Sequence, residues 1–277
     1  MRYRFLVQSG TLGFKISVIA LGGWFTHGGR TDDDIAFATL KAAYDGGVNF
    51  FESAEEYPGG RTETVLGKAL MHFAWDREDV RHDDLSLGVG LSRKHILGGM
   101  RKSLKRLQSD YVDLVSAHRP DKHTLMEEVV RAFNYFINTG QAEWSAEEIA
   151  DAWRVADEHR LGLTIYSPLR RGILTDKYSS SENIPADSRV AKEGSWLHDQ
   201  IVDACEMLDK VAKLRPIAEK LGATSGQCGS AIIGATSVAK LEGNLGAVAF
   251  VENLTDDVVK EIEEVMGTKP TGSPMRY

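Results

Sequence analysis

The sequence predicts an α/β fold built on parallel strands, either closed as a barrel or left as an open sheet, on three observations. The stretch Val48–Tyr57 sets an apolar run, Val48 to Phe51, between a helix-like segment ending at Gly46-Gly47 and a helix start near Thr62. Helix, short buried strand, loop and helix is the alternation of such folds. Further apolar runs starting near Val18, Val112, Leu163 and Ile232 also end in small or polar residues. Finally, 277 residues that are 42% hydrophobic and 26% charged supply the core of one large α/β domain.

In chain order, Tyr3–Val7, Ser9-Gly10 and Leu12–Ile16 predict an N-terminal hairpin with a glycine turn. Ser17–Gly23 reads as a buried strand, followed by Trp24 and a loop containing His27. Thr31 with Asp32, Asp33 and Asp34 opens a helix to near Tyr44, a hydroxyl cap with first-turn acids that suit the helix dipole. Val48–Glu52 is the next strand and Glu63–Phe73 the next helix. Arg81–Gly90 is polar and glycine-punctuated and predicts a loop where a strand is due. Ser92 caps a helix to Leu107, Tyr111–His118 is a strand, and a helix runs from Thr124 to near Asn138. Gln141–Trp144 is too short and polar for a buried strand, and Ser145-Ala-Glu-Glu148 predicts a helix cap. Leu163–Pro168 is a strand, helices follow between Asp199 and Leu221, and Ala231–Ser237 is a strand. The last helices cover Val238–Val248 and Asp256–Met266. No repeat or low-complexity linker interrupts the chain, so a single domain over 1–277 is expected.

The formal charge of −7 argues against a nucleic-acid surface, which needs a basic face. Arg101–Arg106 reads as the solvated side of a helix whose apolar stripe holds Leu104 and Leu107. Cys205 and Cys228 form no disulfide framework or metal spacing, and no run approaches the ~18 apolar residues of a membrane span. A reduced, cytoplasmic protein without membrane insertion is expected. In parallel α/β folds, polar residues just past the carboxyl ends of strands sit over the active-site mouth. Glu52, Tyr57 and His118 occupy such positions. Taken alone, they also read as a strand end, a loop aromatic and a structural histidine. His118, Asp121 and His123 lack a second ligand cluster, so no metal centre is expected.

Eight motifs carry a resemblance across nearly the whole chain: Ala20-Leu-Gly-Gly-Trp24, Phe51-Glu-Ser-Ala-Glu-Glu-Tyr57, Gly90-Leu-Ser-Arg-Lys-His95, Leu107-Gln-Ser-Asp-Tyr-Val-Asp113, His118-Arg-Pro-Asp121, Tyr166-Ser-Pro-Leu169, Gly172-Ile-Leu-Thr-Asp-Lys-Tyr178 and Ile233-Gly-Ala-Thr-Ser237. In this order they resemble the aldo-keto reductases, in the branch of the voltage-gated potassium channel β-subunits and their fungal and bacterial relatives. The resemblance implies a (β/α)8 TIM barrel that moves a hydride between NADP(H) and an aldehyde, ketone or the matching alcohol. It assigns Tyr57 as the acid, His118 as the carbonyl-orienting histidine and Glu52 to the place of the family's aspartate. It assigns cofactor contacts to Gly23, Trp24, Tyr166, Ser167, Pro168, Leu169, Gly172, Lys177, Arg189, Gly234, Thr236, Lys240 and Asn244. Arg189 and Lys240 suit a 2′-phosphate and hence NADP. A homo-oligomer is also in keeping with that branch.

The chain departs from the pattern in three places. Barrel strands 3, 5 and 6 are expected to be missing or truncated, and strand 3 is where the family carries the lysine that lowers the tyrosine's pKa. Without that cation, the acidic neighbours Glu52, Glu55 and Glu56 disfavour a phenolate at Tyr57, which predicts weakened acid–base chemistry. An intact mass above that of the written sequence would mean that the missing segments exist in the molecule; agreement would mean an eroded barrel. A reductase of carbonyl compounds is the leading expectation. A non-catalytic NADP(H)-binding regulatory or scaffold protein, like a channel β-subunit, is the alternative.

Overall fold

The computed structural model describes residues 1–5, 15–27, 31–77, 79–84, 90–118, 121–147, 165, 167–175, 177–178, 184–185, 188, 191, 205–223 and 232–267. The chain divides into two compact units, Met1–Tyr166 with Ala231–Leu245, and Ser167–Ser230 with Gly246–Tyr277.

In the first unit, β1 (Tyr3–Phe5) pairs antiparallel with β2 (Lys15–Ser17), the predicted hairpin. The main sheet is parallel, in the order β7-β6-β5-β4-β3-β8. Its strands are β3 (Ala20–Gly22), β4 (Phe50–Ser53), β5 (Arg81–Asp84), β6 (Val112–Ala117), β7 (Ala142–Glu147) and β8 (Ile232–Ile233). Every residue of β3, β4 and β6 is buried, as expected for parallel strands covered on both faces. Ile16, Ala20, Phe50, Leu114 and Ile232 form one core cluster.

The crossover helices are α2 (Asp33–Asp45), α3 (Arg61–Phe73), α4 (Arg93–Leu107) and α5 (Met126–Asn138), after a single turn α1 (Gly23–Thr26). Each turns a helical stripe inward: Ala36, Leu40 and Ala43 on α2, and Val129, Ala132, Phe133 and Phe136 on α5. Ser92 caps α4 as predicted, its Oγ accepting from the His95 N–H. Gly67 on α3 lies so close to the Leu107 carbonyl at the end of α4 that a Cβ would come within 2.5 Å of it.

Two stretches differ from the sequence reading. The loop expected over Arg81–Gly90 begins with β5, a four-residue strand between β4 and β6. Its text is polar, but β4 and β6 each present a ladder edge that must be satisfied, and buried Val80 anchors its start. Gln141–Trp144 and the expected cap Ser145 enter β7, a six-residue strand in which Ser145 lies opposite Val115 of β6. The open edge of buried β6 outweighs the local capping pattern. The stretch expected to lack strand 6 lies outside the described residues, as does most of Leu163–Pro168. Ile165 is described, and its carbonyl accepts from the Ile232 N–H. Among the described residues the sheet is open, with β7 and β8 at its edges.

The second unit is built around α6 (Cys205–Lys220), which carries Pro216, and the terminal α8 (Asp256–Met266); the helix between them in the chain, α7 (Val238–Leu245), belongs to the first unit. Ile173, Tyr178, Leu208 and Val211 form its buried cluster. The Thr255 hydroxyl caps α8, and Lys210 donates to the Met266 carbonyl at the other end of that helix. Among the described residues no helix is long and apolar enough to cross a membrane.

Candidate active site

The first unit brings Tyr57, Glu52, Trp24 and His118 together at the carboxyl ends of its strands. Glu52 is in β4, whose two phenylalanines fill the core and hold the strand while the carboxylate reaches its end. The chain then turns through a 3-10 segment, Tyr57–Gly60, which swings the Tyr57 ring back over the strand it has just left. The Tyr57 hydroxyl donates to Glu52 Oε1 at 2.6 Å, with both side chains buried. The Trp24 ring meets Tyr57 edge-on at 4.8 Å between centroids and is 44% exposed, so an indole edge is open to solvent beside the phenol. His118, just past β6, sets its ring at 6.1 Å from that of Tyr57, with a buried Nδ1 that has no hydrogen-bond partner among the described residues.

Burial pushes the Glu52 carboxyl up to about 7, against the lowering effect of hydrogen bonds from Tyr57 and from the Gly23 N–H. Gly23 must be glycine here, since a Cβ would collide with the Thr62 methyl and come within 2.9 Å of His27 Nε2. Asp121 ties down the segment after His118: it accepts from the Leu91 N–H, the Thr124 hydroxyl and the His123 N–H. Led by the Thr124 bond, these pull its carboxyl down to about 2. β5, at the place of the family's third strand, reads Arg-His-Asp-Asp and contains no lysine.

The junction between β8 and α7 carries Gly234, Thr236, Lys240 and Asn244. Lys240 is exposed, its N–H is capped by the Ser237 hydroxyl, and its ammonium donates to Thr236 Oγ1 at 2.9 Å. A cation held by a neutral hydroxyl at a helix N-terminus suits a phosphate. In the second unit Ser167, Pro168, Leu169 and Gly172 form a tight turn, the Gly172 N–H donating to the Leu169 carbonyl. Ser167, Arg170 and Gly172 all have positive φ, of 49°, 43° and 99°. Lys177 is exposed. Tyr166 and Arg189 lie outside the described residues.

One residue of the site escaped the sequence reading. His27 was expected in a loop, but it closes α1, is 1% exposed, and has no hydrogen-bond partner for either ring nitrogen among the described residues. Burial pulls it down to about 3, so it is neutral at physiological pH. A histidine between a threonine and a glycine pair carries no periodic signal that would place it inside.

A parallel α/β sheet with a tyrosine, a carboxylic acid and a histidine at its strand ends places these three groups where such folds set their active sites. Residues 18–146 match the aldo/keto reductase family. The chain is 37% identical over 330 aligned positions to an Arabidopsis thaliana protein described as a voltage-gated potassium channel subunit beta, with 98% of each chain covered. A counterpart from Oryza sativa is 38% identical, again with 98% of each chain covered. Another, from Schizosaccharomyces pombe, is 36% identical, covering 97% of this chain and 94% of its own. This chain therefore belongs to the aldo/keto reductase family, in the branch of the potassium channel β-subunits. The aligned length exceeds the 277 residues present, so the alignment includes stretches of the relative with no counterpart here. Among solved structures, the glycerol dehydrogenase of Gluconobacter oxydans superposes with a TM-score of 0.74 at 20% identity, covering 98% of each chain. A thermostable aldo-keto reductase superposes at 0.73 and 23% identity, covering 96% of this chain and all of that one. These likenesses show the fold, which is of the aldo-keto reductase barrel type.

Proposed function

We propose that this chain is an NADP(H)-dependent oxidoreductase that reduces aldehydes or ketones, or oxidises the matching alcohols, with Tyr57 as the proton donor. The observation that carries the reading is the buried Tyr57–Glu52 hydrogen bond beside the half-exposed Trp24 and a His118 nitrogen with no hydrogen-bond partner among the described residues. A carbonyl oxygen that enters along Trp24 meets the phenol, and His118 is placed to orient it. The nicotinamide, when bound, supplies the hydride. Lys240 and Thr236 suit the cofactor's phosphate, and an ammonium there favours NADP over NAD. For Gly23, Gly234 and Asn244 in the first unit, and for Ser167, Pro168, Leu169, Gly172 and Lys177 in the second, a cofactor role rests on the family resemblance. So does a cytoplasmic, homo-oligomeric protein of one domain.

NADPH binding, followed through quenching of tryptophan fluorescence, and NADPH oxidation across a panel of aldehydes test the reading. Binding with turnover supports it; binding without turnover on any carbonyl defeats the enzymatic reading. That second outcome belongs to a non-catalytic, nucleotide-binding regulatory protein. It is favoured by the lack of a lysine in β5 and by the channel-subunit descriptions of the relatives.

A further inference from the structure

We propose that Glu52 is the proton reservoir of this site, its acid form passing a proton to the Tyr57 oxygen as Tyr57 gives its own proton to a carbonyl substrate. The inference rests on the carbonyl-reductase reading above and gives Glu52 a role that an acid holding a lysine would not have. Its basis is geometric. The carboxyl touches the phenol directly at 2.6 Å inside the protein, where a phenol and a carboxyl exchange a proton without an intervening water. Its position is held by the Gly23 N–H and by the tight approach of Gly22, where a Cβ would come within 3.0 Å of Glu52 Oε2.

A phenol has one proton, and that sets the logic. When Glu52 is ionised, the Tyr57 O–H is committed to the carboxylate and is not offered to a substrate. When Glu52 is protonated, its O–H donates to the phenol oxygen and the Tyr57 proton can be directed to a third atom. In reduction the carbonyl carbon accepts a hydride, with its electron pair, from the reduced nicotinamide. The Tyr57 O–H bond breaks as its proton moves to the carbonyl oxygen, and the Glu52 O–H bond breaks as its proton moves to the phenol oxygen. The products are the alcohol, the oxidised nicotinamide, an intact Tyr57 and a Glu52 carboxylate, which takes a proton from water before the next turnover. Alcohol oxidation runs the same transfers backwards and begins from the carboxylate.

Among the described residues, the titratable side chains near this carboxyl are Tyr57 on the following turn, His118 past β6 and His27 at the end of α1 against Gly23; Asp83 of β5 shares the register of Glu52. His27 stays neutral and so does not hold Glu52 ionised. With burial raising Glu52 to about 7, both of its forms are populated at neutral pH.

The test combines a readout on the cofactor-free protein with one on turnover. Infrared difference spectra of the whole chain are recorded between about pH 5 and 9, comparing the native protein with Glu52→Gln and Tyr57→Phe. A carboxylic-acid band that titrates near neutrality, vanishes in Glu52→Gln and moves to a higher midpoint in Tyr57→Phe is expected, because the lost phenol bond had favoured the carboxylate. In turnover, kcat/KM for aldehyde reduction should fall about tenfold per pH unit above the Glu52 midpoint. That limb should be missing in Glu52→Gln, whose amide can donate to the phenol oxygen but cannot titrate. No titrating band, or turnover that keeps its limb in Glu52→Gln, overturns the reservoir while the reductase reading stands. An intact band with no turnover on any carbonyl overturns the reductase reading and the reservoir with it.

Discussion

The two ends of the parallel sheet treat a buried carboxylate in opposite ways. Near the amino ends of the strands, Asp113 in β6 is fully buried between two guanidinium groups, Arg77 at 2.6 Å and Arg81 at 3.4 Å. Arg77 also donates to the Val80 and Tyr111 carbonyls and stacks over the Tyr111 ring, so the cation is itself fixed. At the carboxyl ends Glu52 is also buried, but its hydrogen-bond partners among the described residues are a phenol and a peptide N–H. A carboxylate answered by two cations is a staple that joins β5, β6 and the segment before β5. A carboxyl answered by a weak acid sits near neutrality and can pass a proton. The same residue class is a structural staple at one end and, in the proposed reaction, a proton donor at the other, and the partners make the difference.

Five substitutions, two of them followed through a pH series, sharpen or break this contrast. Tyr57→Phe removes the proposed proton donor and should lower kcat/KM for aldehyde reduction by about 10²- to 10⁴-fold, with NADPH quenching unchanged. A smaller loss would move the chemistry away from this phenol. Asp113→Ala leaves Arg77 and Arg81 facing each other and should lower stability in urea by about 2–4 kcal/mol, discounted for the partial exposure of both arginines. The turnover of the folded fraction should not change. If activity fell and stability did not, the two ends would not be separable.

Glu52 is raised from 4.5 to about 7, so the folded state binds its proton more tightly than the unfolded chain does. Its stabilising contribution is present in full below pH 4.5 and is lost as the pH rises through about 7, in all by roughly 3 kcal/mol. Glu52→Gln should flatten that decline in melts taken from acid to neutral pH. His27 carries the opposite sign. Lowered from 6.5 to about 3, it stabilises above 6.5 and loses that stabilisation as the pH falls. His27→Leu should therefore remove about 2 kcal/mol of acid lability between neutrality and about pH 5, and melts of the two single variants separate the overlapping windows. The smallest effect belongs to Lys240→Met at the exposed helix start. NADPH should bind about fivefold more weakly at low salt, with NADH unaffected; equal losses for both would remove the 2′-phosphate from the account.

The expected Ser92 cap, the helix Asp256–Met266, the strands at β4 and β6 and the placing of Glu52, Tyr57 and His118 at strand ends were all legible. Each rests on a local signal: a capping hydroxyl, a helical stripe, or an apolar run closed by a polar residue. β5 and β7 were not. Arg81–Asp84 and Ala142–Glu147 have no apolar alternation, and they become strands because β4 and β6 leave backbone donors and acceptors that require a partner. His27 was hidden for a related reason, since nothing near it in the chain reveals that Gly23 and Thr62 enclose it.

By itself, then, the sequence determined the family, the parallel α/β architecture and the placing of Glu52, Tyr57 and His118 at the carboxyl ends of strands. These follow from residue types and short-range spacing. Only the tertiary structure decided that Glu52 touches Tyr57, that Asp113 is clamped by arginines, and that a polar tetrad lies mid-sheet. Such outcomes depend on which backbone edges and charges the fold brings together, and burial makes each unmatched group costly enough to settle the arrangement.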